Sequence, residues 1–372
     1  MLVAWLRWLT LGVGLVVVGG TLLSVSRHPH WSVRSWDFPR AHLAVLAAVV
    51  GGTYAAVFCA WQWFEALWLL ALAGCVAWQG YKIFPYTPLA LVQVQRARQR
   101  AGGSAVRLLI ANVRMQNRQY ARFLQVVQAA DPDLLLAVEI DDQWLVALEP
   151  LVRTYPQVVR QPQGNMYGMG LWSRLPLITP QVRFLVQPDI PSIHTEVALP
   201  SGQRFCLYGL HPRPPEPLRD QDATPRDAEL VGVGREIRTQ QRPTVVAGDL
   251  NDVAWSHTTA LFLRLSGLLD PRRGRGFYNT FNANTPWLRY PLDHVFHSSC
   301  FTLIALQRLA HIGSDHFPMC LPLHDEPEAT AAQPPLAAAP GQEADVQETL
   351  AWTTTDSSVR AGEATPHERG TE

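Results

Sequence analysis

Charge is scarce in this chain. Only 17% of its 372 residues are Asp, Glu, Lys or Arg, against ~25% in ordinary soluble domains, and 31 acidic side chains balance 31 basic ones. That balance argues against a generic polyanion binder held by a basic surface. Lysine is nearly missing: Lys82 is the sole one, a skew with no functional content. Cysteine is sparse as well. Cys59, Cys75, Cys206, Cys300 and Cys320 form no CxxC and no regular spacing, which excludes a disulfide framework or zinc knuckle and leaves buried free thiols. No HExxH string or Cys/His ligand cluster appears, so a zinc hydrolase is disfavoured.

The balance is a sum of unlike parts. Residues 1–100 hold eight basic and two acidic side chains (+6), residues 325–372 hold two basic and ten acidic (−8), and residues 101–324 hold 21 against 19 (+2). The first part also holds what the rest lacks, long apolar runs. Trp8 to Ser26 carries no charge and makes about 28 Å of helix, matching a hydrocarbon core of ~30 Å. Ala41 to Tyr81 carries Glu65 as its single acid and no base, enough for two more spans turning near Trp61–Glu65. Tryptophans 61, 63, 68 and 78 and tyrosines 54 and 81 fit interfacial anchors.

These runs predict three membrane helices, about 5–26, 41–60 and 64–81, within a membrane region 1–84. Buried helices of a soluble protein are usually shorter. A cleaved signal peptide is opposed by the lack of a small-x-small site before RHPHWSVRSWDFPR. With three spans, the loop 24–40 and everything after Tyr81 share one side. Arg27, Arg34, Arg40, Lys82, Arg96, Arg98 and Arg100 lie there against Arg7 and the terminal amine opposite, which places that side in the cytoplasm.

Residues 85–104, rich in Pro, Gly, Gln and Arg, read as a linker whose bases either touch lipid headgroups or are solvated. Residues 325–372, rich in Ala, Pro, Glu and Thr, read as a disordered acidic tail without chemistry. Between them 105–324 has room for one core. VRLLIANV and LLLAVEI read as buried strands around a helix marked by Tyr120, Phe123, Leu124 and Val127, with Asp131-Pro132 as its stop. GMGLWSR, HTEVAL, RFCLYGLH, TVVAGDL, LDHVFH and FTLIAL supply further strands, and 225–240 and 256–266 further helices. The order predicts an α/β layered sandwich.

Polar residues stand at the downstream ends of several strands: Asn112, Glu139, His211 and Asp249. Singly, each has a plain structural explanation, such as a helix cap for Asn112 or a turn for His211-Pro212. GDLND adds Asn251 two residues after Asp249, which in an extended segment points both to one face. SDH sets Asp315 beside His316, and Asp293 in PLDHVF is the kind of residue that fixes a histidine's tautomer. Together they are oxygen donors suited to Mg²⁺ plus a histidine titrating near neutrality.

Taken in order, the Asn of the first strand, PDLLLAVEI, GMGLWSRLPL, YGLHP, GDLND, LDHVF and GSDHFP resemble the endonuclease/exonuclease/phosphatase superfamily over about residues 106–323. The resemblance implies a four-layer α/β/β/α sandwich, preceded here by about three transmembrane helices, and a metal-dependent phosphoesterase at a bacterial plasma membrane. It implies Glu139 as main Mg²⁺ ligand (Mn²⁺ as alternative ion), with Asn112 and Asp315 also on the metal side. It further implies His316 as catalytic histidine oriented by Asp293, Asp249 handling the attacking water, Asn251 holding a phosphate oxygen and His211 assisting at the phosphate or leaving group.

Leu250 and His294 replace the commoner Phe and Tyr of the pattern, and His211 has no obvious carboxylate partner. The substrate stays open between nucleic acid and a lipid or inositol-type phosphate. PRRGRGFYNTF (271–281) reads either as a basic, aromatic groove or as a solvated loop, and 211–227 as a mobile loop beside the site. The bilayer is the expected partner and no protein partner is indicated. The rival to an enzyme is an inactive sandwich serving as a membrane-tethered scaffold.

Overall fold

The computed structural model describes residues 1–98, 102–216 and 222–351; Arg100, part of the 211–227 loop and the last stretch of the tail lie outside the described residues. Three N-terminal helices come first: Leu2–Val25, Arg40–Thr53 continued by wider turns over Tyr54–Phe58, and Trp63–Ile83. All three are long and apolar enough to cross a membrane. They pack through Val17, Leu43, Ala47 and Cys75 while Leu15, Val16, Val49 and Leu70 face outward, uncovered by protein. Apolar side chains all round suit a helix whose solvent is lipid.

Among the described residues twelve strands follow: β1 (Ala105–Asn112), β2 (Leu134–Val138), β3 (Gln157–Gln161), β4 (Met169–Ser173), β5 (Leu177–Arg183), β6 (Ser192–Ala198), β7 (Arg204–Leu210), β8 (Thr244–Asp249), β9 (Asp293–His297), β10 (Phe301–Leu303), β11 (Gln307–Arg308) and β12 (Met319–Asp325). One sheet runs β10-β12-β1-β2-β4-β3 with β11 also on β12, and the other runs β5-β6-β7-β8-β9. Alternation along each strand builds the layers. Leu108 and Ile110 of β1 and Leu134 and Leu136 of β2 meet Leu207, Val245 and Val295 of the facing sheet. Leu109, Ala111, Leu135 and Ala137 point the other way, onto Phe123, Val127 and Trp144 of the helices Tyr120–Ala130 and Asp142–Leu148.

Behind the second sheet, Tyr208 and Val246 pack on Leu230, Val233 and Phe262 of the helices Thr224–Gln240 and His257–Ser266. The result is the expected four-layer α/β/β/α sandwich. Central strands read as continuous apolar runs because both of their faces are covered.

Two segments differ from the sequence reading. The linker is built into the domain as far as Arg98: Tyr86 donates to the Ala254 carbonyl at 2.5 Å, Val94 is buried, and Gln95 and Ala97 exchange backbone hydrogen bonds with Leu303. The tail is ordered through Ala351. Gln333 donates from its buried amide to the Phe301 carbonyl at 2.7 Å, and Val346 sits among Val231, Leu261 and Leu265. Low-complexity composition removes a segment's own core but not its ability to borrow a neighbour's exposed edge.

Candidate active site

Two parallel strand pairs, one per sheet, position the polar strand ends. β1 and β2 run in register with Asn112 opposite Val138, so Glu139 emerges beside Asn112. β7 and β8 pair Leu210 with Gly248, so His211 and Asp249 emerge together. Gly248 has φ +143, and a Cβ there would lie 1.9 Å from the Leu210 carbonyl oxygen; only glycine lets β8 end this close to β7. β9 then pairs antiparallel with β8 and sets Asp293 directly opposite Asp249.

The side chains meet where the two sheets end. Asn112 Nδ2 donates to Glu139 Oε1 at 2.7 Å and to Asp249 Oδ2 at 3.0 Å, linking the sheets. Glu139 holds φ +61, a left-handed backbone that a residue with a side chain adopts at some cost, and its Oε2 accepts from Met115 N at 3.3 Å. His316, buried in the loop before β12, directs Nδ1 to Asp293 Oδ2 at 2.7 Å and Nε2 toward Asp249 Oδ2 at 3.5 Å. Ligand atoms of Asp249, Asp293 and His316 lie within 4.8 Å of one another. His211 is buried with Nε2 3.9 Å from Asp249 Oδ2, and its Nδ1 finds no hydrogen-bond partner among the described residues.

One placement needs correction, that of Asn251, and Asp315 stands at the edge of the cluster. Asp249 and Asn251 do not share one extended face: the strand ends at Asp249, Asn251 turns to φ +52, its backbone N–H caps Asp249 Oδ1 at 3.0 Å and its amide donates to the Pro212 carbonyl at 3.0 Å. Asp315 is not bonded to Asn112 or Glu139 among the described residues. Its Oδ2 stands 3.7 Å from Arg114 Nη1, and its carbonyl accepts from Ala283 N at 2.6 Å. Neighbours in sequence, Asp315 and His316 diverge because the loop turns between them.

Charge is poorly compensated here. Glu139, Asp249 and Asp293 are three carboxylates, and among the described residues no arginine or lysine side chain pairs with any of them. Burial alone would lower the His316 pKa, but the Asp293 and Asp249 carboxylates outweigh it and raise it to about 10. Burial lowers His211 to about 4, with Asp249 opposing in part. Burial likewise raises Asp249 and Glu139 above ordinary carboxylates, against the pull of His316 and the Asn112 amide respectively. Three acids facing one imidazolium leave net negative charge on hard oxygen donors, which fits a divalent cation of the Mg²⁺ type.

Sequence reasoning missed four neighbours. Tyr167 stacks on His211 at 5.3 Å and takes Arg213 on its ring at 5.1 Å; its only signal was its place just before GMGLWSR. Phe281 lies 5.0 Å from the His316 ring, Arg114 answers Asp315, and Arg226 holds the Asn251 carbonyl at 2.8 Å. The PRRGRGFYNTF segment splits in two: Gly276, Phe277 and Tyr278 line an open groove with Arg308, whereas its three arginines turn to the protein. Arg272 is buried against Asp270 at 2.7 Å and His294 at 2.5 Å, Arg273 covers Tyr86, Arg275 bonds the Val94 carbonyl, and Phe277 packs on Trp255. Its bases fasten the former linker to the domain.

The sequence pattern of the Endonuclease/Exonuclease/phosphatase family matches residues 109–316. Solved structures similar to the chain include an endonuclease/exonuclease/phosphatase from Beutenbergia cavernae (18% identity, 60% of this chain and 72% of that one, TM-score 0.49). Others are the human Nocturnin catalytic domain with bound sulfate (17%, 59% and 94%, 0.49) and D. rerio TDP2 complexed with single-strand DNA product (17%, 59% and 99%, 0.49). At such identities and TM-scores the likeness says nothing of substrate. No curated protein matches the chain.

Proposed function

The chain belongs to the endonuclease/exonuclease/phosphatase family of metal-dependent phosphoesterases, and from that premise we propose that it is a membrane-anchored, Mg²⁺-dependent phosphodiesterase. The observation that carries the proposal is the set of three carboxylates, Glu139, Asp249 and Asp293, balanced by the single imidazolium of His316 and, among the described residues, by no arginine or lysine. Glu139 and Asn112 would hold the cation, with Asp315 at its rim. Such an ion neutralises a nonbridging phosphate oxygen when bound.

The remaining work falls to the protein. Asp249, a carboxylate of raised pKa at the centre of the cluster, orients a water and takes its proton as the water oxygen bonds to phosphorus. His316 stays protonated through the neutral range, and Asp293 fixes its ring so that Nε2–H faces the phosphoryl oxygens. His211 is neutral there and lies against Asp249, where it steadies the phosphate as the ester P–O bond breaks. Asn251 closes the site by capping Asp249. The anchor in this reading is the three apolar helices, and the surplus of bases on the domain's side of them supports a cytoplasmic site.

The test is hydrolysis of bis(p-nitrophenyl) phosphate by the full chain in detergent. Turnover that requires Mg²⁺ or Mn²⁺ and disappears in Asp249→Asn supports the reading. No turnover with any divalent ion would leave the inactive scaffold as the better one.

A further inference from the structure

The wall of the site next to His316 is also the junction with the membrane helices. Phe281, against the His316 ring, belongs to an apolar cluster with Trp255, Leu292 and Tyr290 of the domain, Phe38 of the first inter-helix loop, and Ile83 and Tyr86 at the end of the third helix. From Phe281 the chain makes a closed excursion and returns: Phe281 pairs with Tyr290, and Asn282 N donates to the Leu288 carbonyl at 3.2 Å. The base of this hairpin touches the site a second time through the Ala283–Asp315 backbone bond.

Its tip carries Trp287 and Leu288, 72% and 46% exposed, and Trp287 is the most exposed aromatic among the described residues past 104. The tip lies beside the membrane region: the Trp287 carbonyl meets His42 Nε2 at 2.6 Å, and Phe38 and His42 both reach the Tyr290 ring. His42 stands in the first turn of the second apolar helix, level with the headgroups if that helix spans. The third helix ends on the same side, and Phe84, Leu89 and Leu91 after it are also uncovered. Exposed Trp and Leu in water are a liability, whereas at the interface an indole is well placed.

We infer that the Phe281–Tyr290 hairpin seats Trp287 and Leu288 in the headgroup layer of the membrane that holds the chain, and that the phosphodiester delivered to His316 and Asp249 is that of a phospholipid headgroup. The occupant is the chain's own bilayer, because the hairpin continues the surface of its membrane helices. The substrate half of the inference rests on the phosphodiesterase reading above; the insertion half does not. The +2 charge of residues 101–324 and the internal use of Arg272, Arg273 and Arg275 weigh against a nucleic acid held by a broad basic surface.

The experiment uses the full chain in vesicles of phosphatidylethanolamine and phosphatidylglycerol with Mg²⁺. Trp287→Ser/Leu288→Ser should lower release of lipid headgroups about tenfold, since interfacial binding scales with buried apolar area, while hydrolysis of bis(p-nitrophenyl) phosphate stays within about twofold. Undiminished lipid turnover in the double variant, or wild-type cleavage of a single-stranded oligonucleotide but not of lipid, would overturn the substrate assignment. A nitroxide on Leu288→Cys, with Cys59 and Cys300 replaced by Ser, reads insertion without any activity. Greater accessibility to oxygen than to an aqueous nickel complex upholds it and the reverse overturns it. If the soluble diester is also untouched, the phosphodiesterase reading falls while the nitroxide still decides the insertion.

Discussion

Asp249 and Asp252 stand three residues apart, both buried, in clusters of opposite kind. Asp252 faces Arg226 at 3.5 Å and accepts from Ser256 at 2.6 Å. Arg226 also pairs with Asp227 at 2.8 Å, and Asp227 with Arg34 of the membrane region at 3.0 Å. Acids and guanidinium groups here match, and the network ties the first inter-helix loop to the domain, helped by the Trp255 indole on the Asp37 carbonyl at 2.7 Å. Around Asp249, among the described residues, no guanidinium enters, and one imidazolium answers three acids. A buried ion pair left complete is structural; buried acids outnumbering their bases are held by a fold that accepts the cost for another purpose.

The difference breaks most clearly on carboxylate-to-amide substitutions. In the site, Glu139→Gln, Asp249→Asn and His316→Gln should each lower metal-dependent turnover by about 10³-fold. Thermal unfolding of the metal-free, detergent-held protein should not fall for the two amide variants, because each removes a buried charge whose desolvation outweighs the pull of its partners. Mg²⁺ should raise the wild-type midpoint and fail to raise that of Glu139→Gln. Retained turnover in any two of the three would defeat the site assignment.

At the junction the same type of change should do the reverse. Asp227→Asn strands Arg34 and Arg226 beside one remaining acid and should cost about 3 kcal/mol of stability, read as a lowered unfolding midpoint with normal turnover per folded molecule.

Glu229 offers a third case, on the same helix two residues after Asp227. Among the described residues its buried Oε1 is unbonded and no base pairs with it, and burial raises its pKa from 4.5 to about 8. The folded state therefore favours its protonated form. That contribution is complete below about pH 4.5 and is lost as pH rises through 8. Glu229→Gln should come close to wild type near pH 5 and exceed it by about 4 kcal/mol near pH 9; equal pH profiles would show that the acid is paired after all. The smallest effect is expected of Tyr167→Leu, which removes the ring from His211 and should lower turnover about fivefold, or ~1 kcal/mol, without altering the metal requirement.

Legibility followed the range of the forces involved. β1, β2, β7 and β8 were readable because local runs of Leu, Ile, Val and Ala name a strand buried on both faces. β3 and β5 were missed because they lie at sheet edges and carry exposed polar residues. β12 was hidden by Pro322, which it tolerates because its partners on one side, β10 and β11, break between Leu323 and Cys320. The polar strand ends were visible as a list. That Asp315 faces Arg114, that Asn251 turns away from Asp249's face, and that Arg272 is spent on Asp270 and His294 were not visible, since each pairing joins residues whose approach depends on a loop's turn.

The amino-acid sequence by itself determined the three apolar helices, the layered α/β class, the family and the residues available for chemistry, because hydrophobic period and motif order are properties of short segments. Only the tertiary structure decided which acids keep arginine partners and which do not, and that the linker and the tail through Ala351 dock on the domain. It also decided that the His316 wall abuts the ends of the apolar N-terminal helices. Charge compensation and docking depend on distances between residues tens to hundreds of positions apart, and those distances exist only once the sheets have closed on each other.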